Sequence, residues 1–301
     1  MFALPDAVRR KQLAGLAERL SRPLGFLLSV LLLVVVLGQA RTADWSVLAR
    51  SARLSAGFWI SCGAYYLLSP CAEWLIYSRL WGFDRGTLPA LLRKFVSNEL
   101  LVDYLGDVQF LAWAHARKIR SPFAAVKDVT ILSALTGNLV TLVLMILAWP
   151  NVVGGLSEAS LHAVFGSLGV VIAVSSLILL VGKRIFTHRP GTLMGIGVVL
   201  VLRTVGAMSL SAVLWHLLMP GTSLTDLFVL ATLRMVVSRL PLVPSKDLLF
   251  AGLAVLVFGR AADISVATSM IASLMLIIHV VVGSLLALTH IGSARRRSPA
   301  A

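Results

Sequence analysis

Charged residues are scarce in this chain: only 13% of its 301 residues are Asp, Glu, Lys or Arg, whereas 58% are hydrophobic. Soluble domains have about 25% charged and about 45–50% apolar residues, so this composition excludes an ordinary soluble protein. The mean hydropathy of +0.91 is typical of a chain that lies mostly inside a membrane. At about 20 residues per crossing, the chain has room for about seven or eight transmembrane helices and none for a separate soluble domain.

Acidic residues are the rarer charged type, with 13 Asp and Glu against 27 Lys and Arg. In a soluble protein the net charge of +14 would suggest a nucleic-acid partner. Here the basic residues mostly flank apolar runs, where they anchor a protein to anionic lipid on the cytoplasmic side. We therefore expect membrane phospholipid, and no nucleic acid, as the partner.

Cysteine pairs and metal-binding patterns are also missing. Cys62 and Cys71 lie nine residues apart in one predicted helix, which separates them by about 13 Å along its axis, too far for a disulfide. The chain has no HExxH motif, and its six histidines are scattered singly. We expect no metal, no cofactor and no enzymatic activity. An intramembrane enzyme stays an alternative, because charged residues within spans also mark active sites.

The predicted fold class is an all-α polytopic integral membrane protein, with about 7–8 transmembrane helices and one or two interrupted or re-entrant segments. Residues 1–301 form a single transmembrane domain, with a basic tail at 1–23, a helical bundle at 24–290 and a second basic tail at 291–301. The basic tail before the first span predicts a multi-pass protein of the cell (inner) membrane with a cytoplasmic N-terminus. The predicted ordinary spans are Leu24–Leu37, Leu54–Leu80, Val129–Trp149, Ala163–Gly182, Leu193–Met219 and Ser265–Thr289.

One segment, Asn98–His115, has the apolar content of a membrane helix but contains several carboxylates. Glu99, Asp103 and Asp107 recur every four residues and so predict an acidic stripe on one helical face. Basic residues on both sides of the segment predict that it enters and leaves the membrane on the cytoplasmic side, as a re-entrant hairpin.

An amphipathic helix is predicted just before this segment. Apolar residues recur at helical spacing over Leu88–Val96, whereas Arg93 and Lys94 take other faces, as in a helix that lies in the membrane surface. Glu73, inside the predicted span that precedes it, is expected either to snorkel to the cytoplasmic interface or to pair within the bundle.

A second unusual segment, Ser223–Phe250, is apolar but interrupted. Its charged and helix-breaking residues include Arg234, Arg239, Pro241, Pro244, Lys246 and Asp247. A guanidinium costs roughly 3 kcal/mol or more at mid-bilayer, so this segment must face protein or a wet cavity. A further arginine, Arg203, lies near the middle of a predicted span.

The order of these elements resembles the flippase-like transmembrane domain of lysylphosphatidylglycerol synthetases, as a stand-alone bacterial member without the synthetase domain. The resemblance covers roughly residues 24–290. It is carried by the stretch from Trp74 through Arg79-Leu80-Trp81, by Asn98 followed by Gly106-Asp107, and by Arg239-Leu-Pro241-Leu-Val-Pro244. It implies the movement of a polar lipid headgroup between leaflets, with about eight helices around a central cavity.

A zwitterionic or aminoacylated phospholipid needs cations for its phosphate and carboxylates for its amine near mid-membrane. The residues that would provide these contacts form the predicted substrate-binding site: Asn98, Glu99, Asp103, Asp107, Arg203, Arg234, Arg239, Lys246 and Asp247. A non-transporting scaffold that assists an enzyme of cell-envelope lipid or glycan synthesis is the alternative function. Residue types alone do not separate these two functions.

The loop Asn151–His162 gives the clearest signal of orientation, because it contains one acidic residue and no Lys or Arg. In a background where Cys62 and Cys71 are replaced by serine, Ser157→Cys should react with an impermeant thiol reagent added outside the cell. Ser293→Cys should react only after the membrane is permeabilised. The reverse labelling pattern would overturn the predicted orientation.

Overall fold

The computed structural model of the chain describes residues 46, 54–100, 105–152, 158–238, 250 and 261–295. These residues are largely helical and contain no strand, so the predicted all-α class is confirmed. The helices within the described residues are α1 (Ala56–Trp81), α2 (Thr87–Leu100), α3 (Leu105–Ala116), α4 (Pro122–Val152), α5 (Glu158–Ile185), α6 (Pro190–Leu218), α7 (Leu224–Ser238) and α8 (Ala261–Arg295).

Three helices of the described part of the chain are long and apolar enough to cross a membrane. The candidate spans are Pro122–Asn151 in α4, Pro190–Leu218 in α6 and Val266–Leu288 in α8. Even the shortest rises about 34 Å, more than the roughly 30 Å of a hydrocarbon core. Helix α6 also exposes large apolar side chains of the kind that lipid covers, among them Met194, Val198, Leu202 and Val205.

Five of the predicted spans coincide with helices: Leu54–Leu80 with α1, Val129–Trp149 with α4, Ala163–Gly182 with α5, Leu193–Met219 with α6, and Ser265–Thr289 with α8. Helices α1 and α5 are not among the three candidate spans. The first predicted span, Leu24–Leu37, lies outside the described residues, and the total of 7–8 crossings stays a prediction.

The chain divides into two compact units. Within the described residues, the first unit takes in residues 73–126 and 276–295, apart from the gap at 101–104. The second unit takes in Trp45–Ala72 and Lys127–Met275. Helices α2 and α3 therefore belong to the first unit, whereas α5, α6 and α7 belong to the second.

Helices α2 and α3 fold back on each other in the first unit. The side-chain oxygen Oδ1 of Asn98, on α2, accepts a hydrogen bond of 2.7 Å from the backbone N–H of Gly106, on α3. In one continuous helix these residues would lie about 12 Å apart along the axis, so the chain reverses direction between the two helices. With 14 and 12 residues, or about 21 and 18 Å, neither helix is long enough to cross a bilayer.

Two details of the predicted hairpin are wrong. Helix α2 contains both the amphipathic helix predicted over Leu88–Val96 and the beginning of the segment Asn98–His115. The first arm of the hairpin therefore starts at Thr87. Glu99 lies on α2 and Asp107 lies on α3, so they do not share one helical face. A spacing of four residues places side chains on one face only where the helix is continuous, and here the chain reverses.

Local chemistry fixes where α1 ends and α2 begins. Gly82 takes the left-handed conformation, with φ of 84°, and its N–H donates to the carbonyl of Ser78 at 3.0 Å, which ends α1. The side-chain oxygen Oδ1 of Asp84 then accepts a hydrogen bond from the N–H of Gly86 at 2.6 Å, and the backbone carbonyl of Asp84 accepts one from the N–H of Thr87 at 3.1 Å. This short turn leads the chain from α1 directly into α2.

Gly106 is a point of very close approach between α2 and α3. A Cβ atom there would meet the backbone carbonyl oxygen of Lys94 and would lie 2.6 Å from Oδ1 of Asn98. We expect Gly106→Ala to lower the free energy of unfolding by about 1–3 kcal/mol, the usual cost of overpacking. The effect is measured as a lower Tm in detergent micelles.

Gly195 on α6 provides the matched control for this substitution. A Cβ atom at Gly195 would meet nothing within 4 Å. Alanine favours a helix interior over glycine by about 1 kcal/mol, so Gly195→Ala should keep or slightly raise the Tm. A Tm for Gly106→Ala equal to that of the unmodified protein would show that the two helices have room to separate.

Candidate functional site

Charged side chains of the first unit meet where α1, α2 and α3 come together. The ammonium nitrogen Nζ of Lys94 lies 2.8 Å from Oε2 of Glu73 and 3.0 Å from Oδ1 of Asp107. The three side chains are only 7%, 15% and 13% exposed, respectively. Together with Asn98, these residues are called the charge cluster.

Asn98 connects the charge cluster to the backbone of the hairpin. Its Nδ2 donates to Oδ2 of Asp107 at 3.1 Å, while its Oδ1 accepts the hydrogen bond from Gly106. One carboxyl oxygen of Asp107 thus contacts Lys94 and the other contacts Asn98. The carboxyl group of Asp107 is held in a fixed orientation by these two contacts.

Helical spacing explains why these groups meet. Lys94, Ser97 and Asn98 are three and four residues apart on α2, so their side chains share one face. Gly106 and Gln109 are likewise three residues apart on α3. The hydroxyl of Ser97 donates to Oε1 of Gln109 at 2.8 Å, which pairs the two faces a second time.

An aromatic wall, formed by Tyr77, Trp81, Phe110 and Trp113, adjoins the charge cluster. The ring of Tyr77 lies 4.6 Å from that of Trp81 and 4.8 Å from that of Phe110, and Phe110 stacks on Trp113 at 5.5 Å, all between centroids. Tyr77 is fully buried, one helical turn after Glu73, yet its hydroxyl has no hydrogen-bond partner among the described residues. Buried tyrosine hydroxyls usually have a partner, so this hydroxyl is an unsatisfied donor beside the charge cluster.

The protonation of Lys94 follows from two opposing effects. Burial works against the charge and by itself lowers the pKa of the ammonium group. The carboxyl groups of Glu73 and Asp107 act in the other direction and outweigh burial, so the pKa of Lys94 lies above its ordinary value. Lys94 is therefore charged at physiological pH, and the charge cluster places two carboxyl groups around one ammonium group.

Glu73 and Lys94 are not among the residues that the sequence predicts for the site. Glu73 was expected either to snorkel to the cytoplasmic interface or to pair within the bundle, and in the structure it pairs with Lys94. Lys94 was expected on a polar face of a surface helix but is buried, because carboxyl groups from two other helices reach it. The sequence places Lys94, Ser97 and Asn98 on one face of α2, but it does not show that carboxyl groups of α1 and α3 meet that face.

Of the predicted site residues in the described part of the chain, the structure pairs Asn98 with Asp107. Glu99 is exposed on α2. Arg203 and Arg234 belong to the second unit, on α6 and α7. The predicted site residues that lie outside the described residues are Asp103, Arg239, Lys246 and Asp247.

The two arginines of the second unit have different surroundings. Arg203 donates from Nη2 to the hydroxyl of Ser133, on α4, at 2.8 Å. The Cζ atom of Arg234 lies 5.9 Å from the ring centroid of Trp215 and 5.9 Å from that of Phe250. Arg203 therefore joins two helices by a hydrogen bond, whereas Arg234 makes cation–π contacts.

A separate polar cluster fixes the turn between α5 and α6. Asp128, on α4, is fully buried, and its Oδ2 accepts hydrogen bonds from the N–H groups of Thr187 and His188, both at 2.9 Å, and from Nδ1 of His188 at 2.7 Å. The neighbouring Lys127 donates to the carbonyl of Ile185 and to the hydroxyl of Thr187. These contacts hold the turn against α4 and give the cluster a structural role.

Within the described ranges, no group of three or more His, Cys, Asp or Glu residues is placed to hold a metal ion. Comparison of the chain with protein-family models, with curated proteins and with solved structures found no match. The function is therefore argued from the charge cluster itself. Ionisable groups buried in a membrane protein are by default candidates for a functional site.

Removing the ammonium group tests whether charge holds the cluster together. Lys94→Met keeps most of the side-chain volume but leaves Glu73 and Asp107 without the ammonium group that both of them contact. We expect the free energy of unfolding to fall by about 3–5 kcal/mol, as when one partner of a buried ion pair is removed. The measurement is Tm and folded yield in detergent, and the triple variant with Glu73→Gln and Asp107→Asn should recover much of the loss.

The pair Asp84–Arg117 in the same unit is the control. Its charged atoms are also 3.0 Å apart, but the side chains are 36% and 48% exposed. Exposed pairs contribute about 0–1 kcal/mol, and an asparagine oxygen can still accept the hydrogen bond from Gly86, so Asp84→Asn should change Tm little. If Lys94→Met had no larger effect than Asp84→Asn, the charge cluster would contribute no more than a surface contact.

Proposed function

We propose that this protein binds the polar headgroup of a membrane phospholipid at the charge cluster and moves it between leaflets. The observation that carries the proposal is the burial of Glu73, Lys94 and Asp107 around a hairpin of helices too short to cross the membrane. Charges are costly in a membrane interior, and those that are retained commonly mark the paths of substrates or ions.

A zwitterionic headgroup fits the charge cluster by exchanging partners with it. The ammonium group of the lipid takes the place of Lys94 against Glu73 and Asp107, and the phosphate of the lipid pairs with Lys94. Because the headgroup brings one charge of each sign, the exchange leaves the net charge of the site unchanged. An anionic ligand would add to the net negative charge of two carboxyl groups and one ammonium group in a buried site, which is far more costly.

The aromatic wall and Asn98 support this exchange. The free hydroxyl of Tyr77 supplies a hydrogen bond to an oxygen of the headgroup. Trp81 and Trp113 are half-buried and have the amphipathic rings that suit the headgroup level of a membrane. Asn98 is a positioning residue, since it orients Asp107 through a hydrogen bond of 3.1 Å.

The resemblance to flippase-like domains supplies the transport part of the proposal. Two of the elements that carry the resemblance, Asn98 and Gly106-Asp107, are hydrogen-bonded to each other. We propose on the same basis that the chain crosses the inner membrane of the cell seven or eight times, that its N-terminus is cytoplasmic, and that it is a transporter without enzymatic activity.

Lipid movement is tested with purified protein in liposomes that contain a fluorescent zwitterionic phospholipid. An impermeant reductant quenches only the outer leaflet, so further quenching reports movement from the inner leaflet. Asp107→Asn keeps the shape of the side chain but removes its charge, and it should slow movement about tenfold or more, equivalent to about 1.4 kcal/mol or more. Asp84→Asn, outside the charge cluster, is the control and should transport at the normal rate.

Two outcomes would contradict the proposal. Normal lipid movement by Asp107→Asn, at normal folded yield, would remove the charge cluster from the transport path. Failure of the unmodified protein to move any phospholipid would instead favour the scaffold, which assists an enzyme of cell-envelope synthesis without transporting lipid itself.

A further inference from the structure

Two turns of the first unit meet at the open end of the hairpin: residues 82–86, between α1 and α2, and residues 117–121, between α3 and α4. Asp84 of the first turn and Arg117 of the second form an ion pair of 3.0 Å. The Cζ atom of Arg117 also lies 5.5 Å from the ring centroid of Trp113, a cation–π contact. These contacts fix the two turns relative to each other.

The backbone of the second turn is fixed as well. Lys118 and Ser121 take the left-handed conformation, with φ of 56° and 51°. The N–H of Lys118 donates to the carbonyl of His115 at 2.9 Å, and the N–H of Ile119 donates to the carbonyl of Ala114 at 3.1 Å. Paired bonds of this kind commonly end a helix at a left-handed residue. The side chains of the turn therefore extend from a defined backbone.

The side chains that are exposed here are basic or aromatic. They are called the basic face and comprise Phe83, Arg85, Lys118, Arg120 and Phe123. The two phenylalanines are 69% and 62% exposed, and the ring of Phe83 lies edge-on to that of Trp74 at 5.8 Å between centroids. The one acidic residue of the two turns, Asp84, is already paired with Arg117. The basic face therefore carries an excess of positive charge.

The basic face lies outside the hydrocarbon core of the membrane. The exposed turn between α5 and α6 is not helical, and lipid-exposed backbone of that kind does not occur inside the core. Asp128, on α4, is hydrogen-bonded to this turn and so lies at the edge of the core or beyond it. Phe123 is five residues earlier on α4, or about 7.5 Å farther out. Because the headgroup layer is about 5–8 Å thick, the basic face lies at its outer limit, where a soluble protein can reach it.

We infer that the basic face is a docking site for an acidic segment of a soluble protein. Carboxyl groups of such a segment pair with Arg85, Lys118 and Arg120, while its apolar side chains cover the two phenylalanines. Arginine and aromatic residues are the types enriched at protein interfaces. Phenylalanine lacks the polar edge with which tryptophan and tyrosine suit the headgroup level, so its exposure here favours a protein over a lipid surface.

Docking is tested with the purified full chain in nanodiscs of phosphatidylcholine, a lipid without net charge. The probe is a short fluorescent peptide of Glu, Leu and Ser, and the control peptide has Gln in place of each Glu. Fluorescence anisotropy should rise when the acidic peptide binds and should not rise with the control peptide. Because the basic residues are exposed, added salt should weaken the binding.

Three variants test the residues of the basic face. Arg85→Gln and Arg120→Gln each remove one exposed charge and should weaken peptide binding about two- to fivefold, as expected for exposed charge pairs. Phe83→Ser removes an aromatic anchor and should weaken binding about fivefold or more, with the salt dependence unchanged. Arg184→Gln removes an equally exposed charge on α5, outside the basic face, and should bind normally. The arginine variants keep the test valid even if Phe83→Ser lowers the Tm.

Weaker binding in both arginine variants, with normal binding in Arg184→Gln, supports the docking site. Equal binding of the two peptides overturns the inference, as does binding of neither, or normal binding in both arginine variants. Nanodiscs that also contain phosphatidylglycerol test the lipid surface as the partner. Loss of peptide binding in them at physiological salt would show that the basic face contacts its own membrane, and would equally overturn the inference. None of these measurements involves lipid movement, so a failure here is distinct from a failure of the proposed transport.

Discussion

The first unit depends on one interaction, the contact of Lys94 with Glu73 and Asp107. Within a membrane the hydrophobic effect does not drive helices together, because lipid tails are as apolar as the side chains they would replace. Polar contacts and close backbone packing take over that task. The ammonium group of Lys94 joins three helices, and the missing side chain of Gly106 lets two of them approach closely. Two helices too short to span a bilayer are thereby held in place.

The same contact links stability to the proposed function. A headgroup that exchanges partners with Lys94 weakens the direct tie between α1 and the hairpin while it is bound. The ligand then favours whichever spacing of the helices accommodates it, and this differential affinity is what allows a ligand to shift a conformational equilibrium. A cluster made only of apolar contacts would offer no such exchange.

The helices were predictable from the sequence, and the contacts between them were not. The prediction Leu193–Met219 differs from α6 by three residues at one end and one at the other, because a long apolar run leaves little choice. Glu73, Lys94 and Asp107 are 21 and 13 residues apart in sequence and lie on three different helices, so the period of one helix does not relate them. The prediction of an acidic stripe was wrong for a related reason, since periodicity does not reveal where a chain reverses. Asn98 and Asp107 were both predicted as site residues, and the structure joins them by a hydrogen bond that helical periodicity does not reveal.

The turn between α5 and α6 differs from most connections between membrane helices in how firmly it is held. Loops usually tolerate inserted residues because their backbone faces solvent. Here the N–H groups of Thr187 and His188 are bonded to the buried Asp128 of a third helix. An affinity tag or a fusion partner placed in this turn would break those bonds and leave the carboxylate buried without them. For protein engineering, this connection is therefore part of the core and not of the surface.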